Sequence, residues 1–245
     1  MTGPRALVTG ASRGIGRVVA IRLAERGYAV TLSARNPEVL QDLAAELKAR
    51  GHAAEWFAAD MGAADDLGRL AAFQTGLDPR LDLLVLSAGV GTAAPIGQYR
   101  SGRAERQLSV NYLAPFRLIQ ALLPTLRAAA AANARGSARI IALASLAGVA
   151  AEPGLAAYGA SKAALISLCE SVTVDEAGSG VTATAISPGY VDTEMSAWTR
   201  DKIPAEEMIR ADDVAELVLA VARLSRFATV PNIVLTRPGA QLWRA

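Results

Sequence analysis

The chain of 245 residues has a single cysteine, Cys169, and a single histidine, His52. One cysteine excludes an internal disulfide and suits a reducing compartment. One cysteine with one histidine also rules out a zinc site built from those ligands, and no metal is expected. Lysine is scarce as well. Of 25 basic residues only Lys48, Lys162 and Lys202 are lysines, which leaves 22 arginines. The bases are nearly balanced by 23 acids, for a formal charge of +2, and they form no basic run. Nucleic acid and membrane surfaces are therefore poor candidates for the main partner. No apolar stretch approaches about 20 uninterrupted residues, so no helical membrane span is expected. The opening Met1-Thr2-Gly3-Pro4-Arg5 has no leader character, and a cytoplasmic location is expected.

What is present is an alternation. Short β-type runs fall near Ala6–Thr9, Ala29–Ser33, Ala53–Phe57, Leu81–Ser87, Arg139–Ala144, Val181–Ile186 and Ile233–Leu235. Helical patterns fill the gaps at Gly14–Arg26, Pro37–Arg50, Asp65–Thr75, Arg103–Ala130, Ala156–Ala177 and Asp212–Leu224. Alternation of this kind implies an α/β fold: a doubly wound, mostly parallel, seven-stranded sheet of Rossmann type with helices on both faces. The length fits one such domain over 1–245. The longest irregular stretch follows the sixth strand. In an open parallel sheet, segments leaving strand carboxyl ends border the ligand crevice, so residues 188–210 are expected to form a substrate lid.

The densest local signal is Thr9-Gly10-Ala11-Ser12-Arg13-Gly14-Ile15-Gly16, directly after the apolar run Ala6-Leu7-Val8 and directly before a helical pattern. Free N–H groups and the positive end of a helix dipole attract a pyrophosphate at such a junction. Gly10 lets the chain turn off the strand, and Gly14 and Gly16 remove side chains where backbone must approach ligand or sheet. The spacing differs from G-x-G-x-x-G and lacks the Lys-Ser/Thr ending of a P-loop, which disfavours a kinase or GTPase. Alone, the loop also fits an ordinary strand–helix turn, the less favoured of the two readings.

A second constellation is Tyr158-Gly159-Ala160-Ser161-Lys162. Helix positions four apart share a face, and an ammonium beside a phenol favours its phenolate and lowers its pKa. The spacing alone is easily met by chance, but this chain almost always chooses arginine and has a lysine here. Ser145, thirteen residues before Tyr158, ends the apolar run Ile140–Ala144. A hydroxyl there either caps a turn or reaches the crevice that Tyr158 faces.

In this order, these residues resemble the short-chain dehydrogenase/reductase family from Ala6 to about Val191. The resemblance makes Thr9–Gly16 the cofactor loop, with Gly10, Ser12, Arg13, Gly14, Ile15 and Gly16 against the dinucleotide. It makes Ser145, Tyr158 and Lys162 catalytic. Asn111 takes a fourth catalytic position, its amide bending a helix and holding a proton-relaying water near the lysine. Asp60 is implied to contact adenine. Ala88 and Gly89 follow the fourth strand beside the cofactor, and Pro188, Gly189, Val191 and Thr193 meet the nicotinamide amide. Lys162 is implied to bind the nicotinamide ribose. Two departures stand out: Ser87-Ala88-Gly89 replaces the usual Asn-Ala-Gly, and the end Pro231–Gly239 lacks the Asp-Gly-Gly finish of many fatty-acid reductases.

Cofactor choice follows from residues near the second strand. An NAD site places an acid there for the ribose 2′-hydroxyl. Leu32-Ser33-Ala34-Arg35-Asn36 offers none, whereas Arg35 and Arg13 suit a 2′-phosphate through charge-assisted hydrogen bonds. NADPH/NADP+ is therefore expected, and with it an NADPH-dependent carbonyl reductase. The rival readings are an oxidative secondary-alcohol dehydrogenase and a non-catalytic NADP-binding redox sensor. Leu146, Val149, Pro153, Tyr190, Met195 and Trp198 are expected to line an apolar substrate pocket. Family relatives associate through the helices of 103–130 and 156–177, so a homodimer or homotetramer is expected.

Overall fold

The computed structural model describes residues 3–239, so the expected domain of 1–245 is seen without its extreme ends. Seven parallel strands form one sheet: β1 (Arg5–Thr9), β2 (Ala29–Ala34), β3 (Ala54–Ala58), β4 (Leu83–Leu86), β5 (Ala138–Leu143), β6 (Val181–Pro188) and β7 (Asn232–Leu235). Their spatial order is β3-β2-β1-β4-β5-β6-β7. Order reverses between β1 and β4, and the strand ends there open a crevice.

Because strand side chains alternate, each strand feeds two cores. Ala6 and Val8 of β1, Leu83 and Val85 of β4, and Ile141 of β5 join the core under α1 (Gly14–Glu25), α2 (Pro37–Ala49) and α7 (Ala211–Ala222). Leu7, Leu84, Leu86, Ile140 and Ala142 join the opposite core, under α3 (Ala64–Leu77), α5 (Ala114–Ala132) and α6 (Ala156–Asp175). Burial on both faces is why these strands read as continuous apolar runs in the sequence. Removing one such leucine side chain costs about 2–5 kcal/mol. No helix among the described residues is long and apolar enough to cross a membrane.

One expected helix carries an irregular turn. The helix expected over Arg103–Ala130 is α4 (Arg103–Leu108), a wide π turn at Ser109–Leu113, and α5. Pro115 has no N–H to return to the carbonyl of Asn111, which lies four residues earlier, so the regular ladder is broken there. The expected strand Leu81–Ser87 is likewise shorter, pairing only over Leu83–Leu86. Arg139 enters β5 fully buried and donates to the carbonyls of Leu224 (3.0 Å), Ser225 (2.6 Å) and Ala228 (3.0 Å), tying the chain after α7 to the sheet.

Candidate active site

A single cleft of about 1030 Å³ runs along the carboxyl ends of the strands. At its first end the chain leaves β1 through Gly10, at φ +69°, where an added Cβ would lie 2.8 Å from the N atom of Ala88. A Cβ on Gly16 would stand 2.3 Å from the carbonyl oxygen of Gly10. Neither contact can be relieved by turning a side chain, so only glycine lets α1 begin this close to the sheet. Arg13 occupies the N-cap of α1 without a side-chain cap, which leaves first-turn N–H groups available to an anion. Thr9 completes the floor: its hydroxyl accepts from the N–H groups of Ser87 (3.1 Å) and Ala88 (3.2 Å). Ser87 lies beneath Gly16, its Oγ 3.0 Å from where a Cβ there would sit.

Ser12, Arg13, Gly14, Ile15, Arg35, Asp60, Ala88 and Gly89 all line this half. Arg35 is exposed. Arg13 is also exposed and ion-paired with Glu194, so one of the two guanidiniums already meets an acid. Asp60 accepts from the Gly62 N–H (2.8 Å) and from Arg106 on both oxygens (3.1 and 3.2 Å). The Gly62 bond first, then Arg106 despite partial burial, hold its carboxyl below the usual range. Asn36 caps α2 by accepting from Glu38 (2.9 Å), which fixes the turn that presents Arg35.

Farther along, Ser145, Tyr158, Lys162, Pro188, Gly189, Val191 and Thr193 line the same cleft. Ser145 caps the short turn Leu146–Gly148 by accepting from the Ala147 N–H at 3.2 Å, and it lines the cleft together with Tyr158. The chain passes close to the Tyr158 ring at Gly91, where an added Cβ would touch the ring at 3.4 Å. Lys162 Nζ stands 5.7 Å from that ring centroid and donates to the Leu143 carbonyl at 2.6 Å.

Burial pushes the Tyr158 phenol up, opposed by the Ser145 hydroxyl and reinforced by Glu152. Burial also brings Lys162 down to about 8.

Asn111 stands in the π turn, at the bend that the resemblance implies. It is fully buried and lies behind the cleft wall. Its Oδ1 accepts from the Val90 N–H, and its Nδ2 donates to the Val90 carbonyl and the Ser161 hydroxyl, each at 2.9 Å. The amide is thus committed to backbone and to α6, and in this geometry Asn111 is a positioning residue. Of the expected substrate-lining residues, Tyr190, Met195 and Trp198 face the cleft, but Leu146, Val149 and Pro153 do not. Leu146 is buried and Val149 exposed, because the short turn at 146–148 rotates them away. Sequence reasoning missed Thr9, Arg106, Glu152 and Glu194. Glu152 had one available signal, an acid between Ser145 and Tyr158 on the segment leaving β5.

A family model described as short chain dehydrogenase matches residues 4–204. The chain belongs to the short-chain dehydrogenase/reductase family. This short-chain dehydrogenase/reductase is 33% identical to the rhamnolipids biosynthesis 3-oxoacyl-acyl-carrier-protein reductase of Pseudomonas aeruginosa, over 96% of this chain and 94% of that protein. It is 31% identical to the 3-oxoacyl-acyl-carrier-protein reductase FabG of Staphylococcus aureus, over 94% and 87%. The solved Pseudomonas aeruginosa RhlG/NADP active-site complex superposes with a TM-score of 0.86 at 32% identity, covering 96% of this chain and 95% of that one. The protein is accordingly an oxidoreductase acting on CH–OH/C=O groups.

Proposed function

We propose that this short-chain dehydrogenase/reductase is an NADPH-dependent carbonyl reductase, taking a small or medium, largely hydrophobic ketone. The observation behind this reading is one cleft that combines an arginine-bearing glycine loop with Ser145, Tyr158 and Lys162. The residues fit the cofactor: backbone contacts at Gly10 and Gly16 leave no room for side chains, and the uncapped start of α1 suits a pyrophosphate. Arg35, with no acid beside it at the end of β2, suits a 2′-phosphate. Arg13 is shared between that phosphate and Glu194. Asp60 is assigned to adenine, Lys162 to the ribose, and Pro188, Gly189, Val191 and Thr193 to the amide end.

Bound NADPH supplies a hydride to the carbonyl carbon. Ser145 orients the substrate by donating to its carbonyl oxygen. Tyr158, held protonated by burial, gives its phenolic proton to the same oxygen as negative charge develops there. Lys162, lowered by burial to about 8, is an ammonium at neutral pH and steadies the phenolate left behind. Val90 and Ser161, fixed by Asn111, set the floor and the helix face on which these groups stand. The segment 188–210 is proposed as the lid. Its base is pinned where Val191 bridges Ile209, and Tyr190 and Trp198 pack edge-to-face at 5.9 Å on its inner side. A homodimer or homotetramer in the cytoplasm is proposed on the exposed apolar side chains Leu108, Leu113 and Phe116 along α4 and α5 and the single cysteine.

The deciding experiment measures NADPH and NADH binding, then turnover with hydrophobic ketones, diketones and 3-oxoacyl thioesters. Tighter NADPH binding with turnover of some ketones is the expected result. Equal binding of the two nucleotides overturns the 2′-phosphate assignment, and binding without turnover across the panel overturns the reductase reading.

A further inference from the structure

We propose that Glu152 is a specificity-determining residue, a carboxylate in the substrate half of the cleft that selects carbonyl compounds bearing a hydrogen-bond donor and rejects those bearing a carboxylate. The donor is a hydroxyl or an ammonium group. The inference deepens the reductase reading and rests on it only for turnover.

Four observations support it. Glu152 lines the cleft, on the segment between Ser145 and Tyr158. Its loop is anchored, because the Ala94 N–H donates to the Gly154 carbonyl at 2.9 Å and the Leu155 N–H to Glu152's own carbonyl at 3.1 Å. Among the described residues its carboxylate has no ion-pair partner. One oxygen, Oε1, accepts from the Tyr190 hydroxyl at 2.7 Å. The other acids of the cleft are paired, Asp60 with Arg106 and Glu194 with Arg13. Of the cations in the cleft wall, Arg13, Arg35 and Arg106 belong to its cofactor half, and Lys162 donates to the Leu143 carbonyl and not to Glu152.

The surroundings make the lone carboxylate consequential. Leu155, Met195 and Trp198 share this wall, so a substrate entering here displaces water from around Glu152. An alkyl chain laid against it leaves Oε2 without water or a donor, which is costly for a charged acceptor. A hydroxyl or ammonium on the substrate restores a donor. A substrate carboxylate adds like-charge repulsion in a partly dehydrated site. The field of Glu152 also reaches the phenols of Tyr158 and Tyr190 and raises both, as expected of an acid beside the reacting group. Sites that hydrogen-bond a substrate group discriminate against analogues lacking it far better than apolar pockets discriminate by size.

The test uses a matched series of ketones whose chains end in methyl, hydroxyl, ammonium or carboxylate, with the corresponding alcohols as ligands for the NADP+ complex. In the wild type, the ammonium and hydroxyl alcohols bind at least about tenfold more tightly than the carboxylate. In Glu152→Gln the ammonium-to-carboxylate preference falls by about tenfold or more, and in Tyr190→Phe it persists. An equal preference in wild type and Glu152→Gln, or a wild type that binds the carboxylate best, overturns the inference. The wild-type order alone decides it if Glu152→Gln does not fold. Failure to reduce any ketone while the alcohols bind in the expected order overturns the reductase reading and upholds this one. Turnover without any dependence on the terminal group does the reverse.

Discussion

The two halves of the cleft are made of different material. The cofactor half is backbone: glycines at 10 and 16 whose Cβ atoms would collide with main chain, an uncapped helix start, and strand ends fastened through Thr9. The substrate half is side chains on long connections: Glu152 before α6, and Tyr190, Met195 and Trp198 after β6. Backbone geometry tolerates almost no substitution, whereas side chains on surface connections exchange freely within one scaffold. Changes in the first half should cost cofactor binding and stability together; changes in the second should reorder substrates alone.

The largest expected effect is at the junction. Tyr158→Phe lowers kcat by about 10²–10⁴-fold while NADPH affinity stays within about threefold, read by single-turnover kinetics and nucleotide fluorescence. Equal losses in both would break the division between binding and chemistry.

Next comes Lys162, which burial brings from 10.5 to about 8. Between those values the unfolded chain binds the extra proton and the native one does not, so this residue's contribution rises with pH and is lost as pH falls toward 8. The stability of Lys162→Met relative to wild type therefore shrinks as pH climbs from about 8 to about 10.5, by up to about 3 kcal/mol. Urea titrations of the cofactor-free protein at about pH 7 and about pH 10 measure the change. A constant difference would mean that Lys162 is not desolvated.

Gly16→Ala, forced against the Gly10 carbonyl, destabilises the fold by about 1–3 kcal/mol and weakens NADPH. Met195→Ala, half-exposed in the other half, changes the ranking of ketones and leaves the melting temperature in place. If the two variants behave alike in thermal melts, the distinction between the halves fails. Arg35→Asp shifts the NADPH-to-NADH affinity ratio by about tenfold or more; an unmoved ratio removes Arg35 from the 2′-phosphate. The smallest effect is at Glu194, whose pair with Arg13 is exposed. Glu194→Gln alters stability by less than about 1 kcal/mol, with NADPH affinity unchanged or tighter because Arg13 is released.

The division between the halves also explains what the sequence made legible. Glycine spacing, the acid-free end of β2 and the Tyr158–Lys162 interval are local patterns, and local patterns survive into structure. The seven strands were readable because burial on both faces writes them as apolar runs. The bend at Ser109–Leu113 was implied only by the resemblance at Asn111, since an apolar period runs through it. Pro115, its local mark, was masked by a second proline, Pro124, that sits inside α5 without ending it. Leu146, Val149 and Pro153 were assigned by loop position, but a turn of 3₁₀ helix over Leu146–Gly148 buries Leu146 and leaves Val149 exposed. Glu152 meets the Tyr190 hydroxyl from 38 residues away, and no local pattern encodes that meeting.

Asn111 offers Val90 one acceptor and one donor, the same two groups that a neighbouring strand would present. A helix side chain thereby extends the sheet beyond the last residue of β4. In native-state hydrogen exchange, the Val90 amide is then slow and opens with α6 and the π turn packed on it, not with the loop around it. The floor of the cleft belongs to the most cooperative part of the fold, so a nucleotide arrives at a surface that is already set.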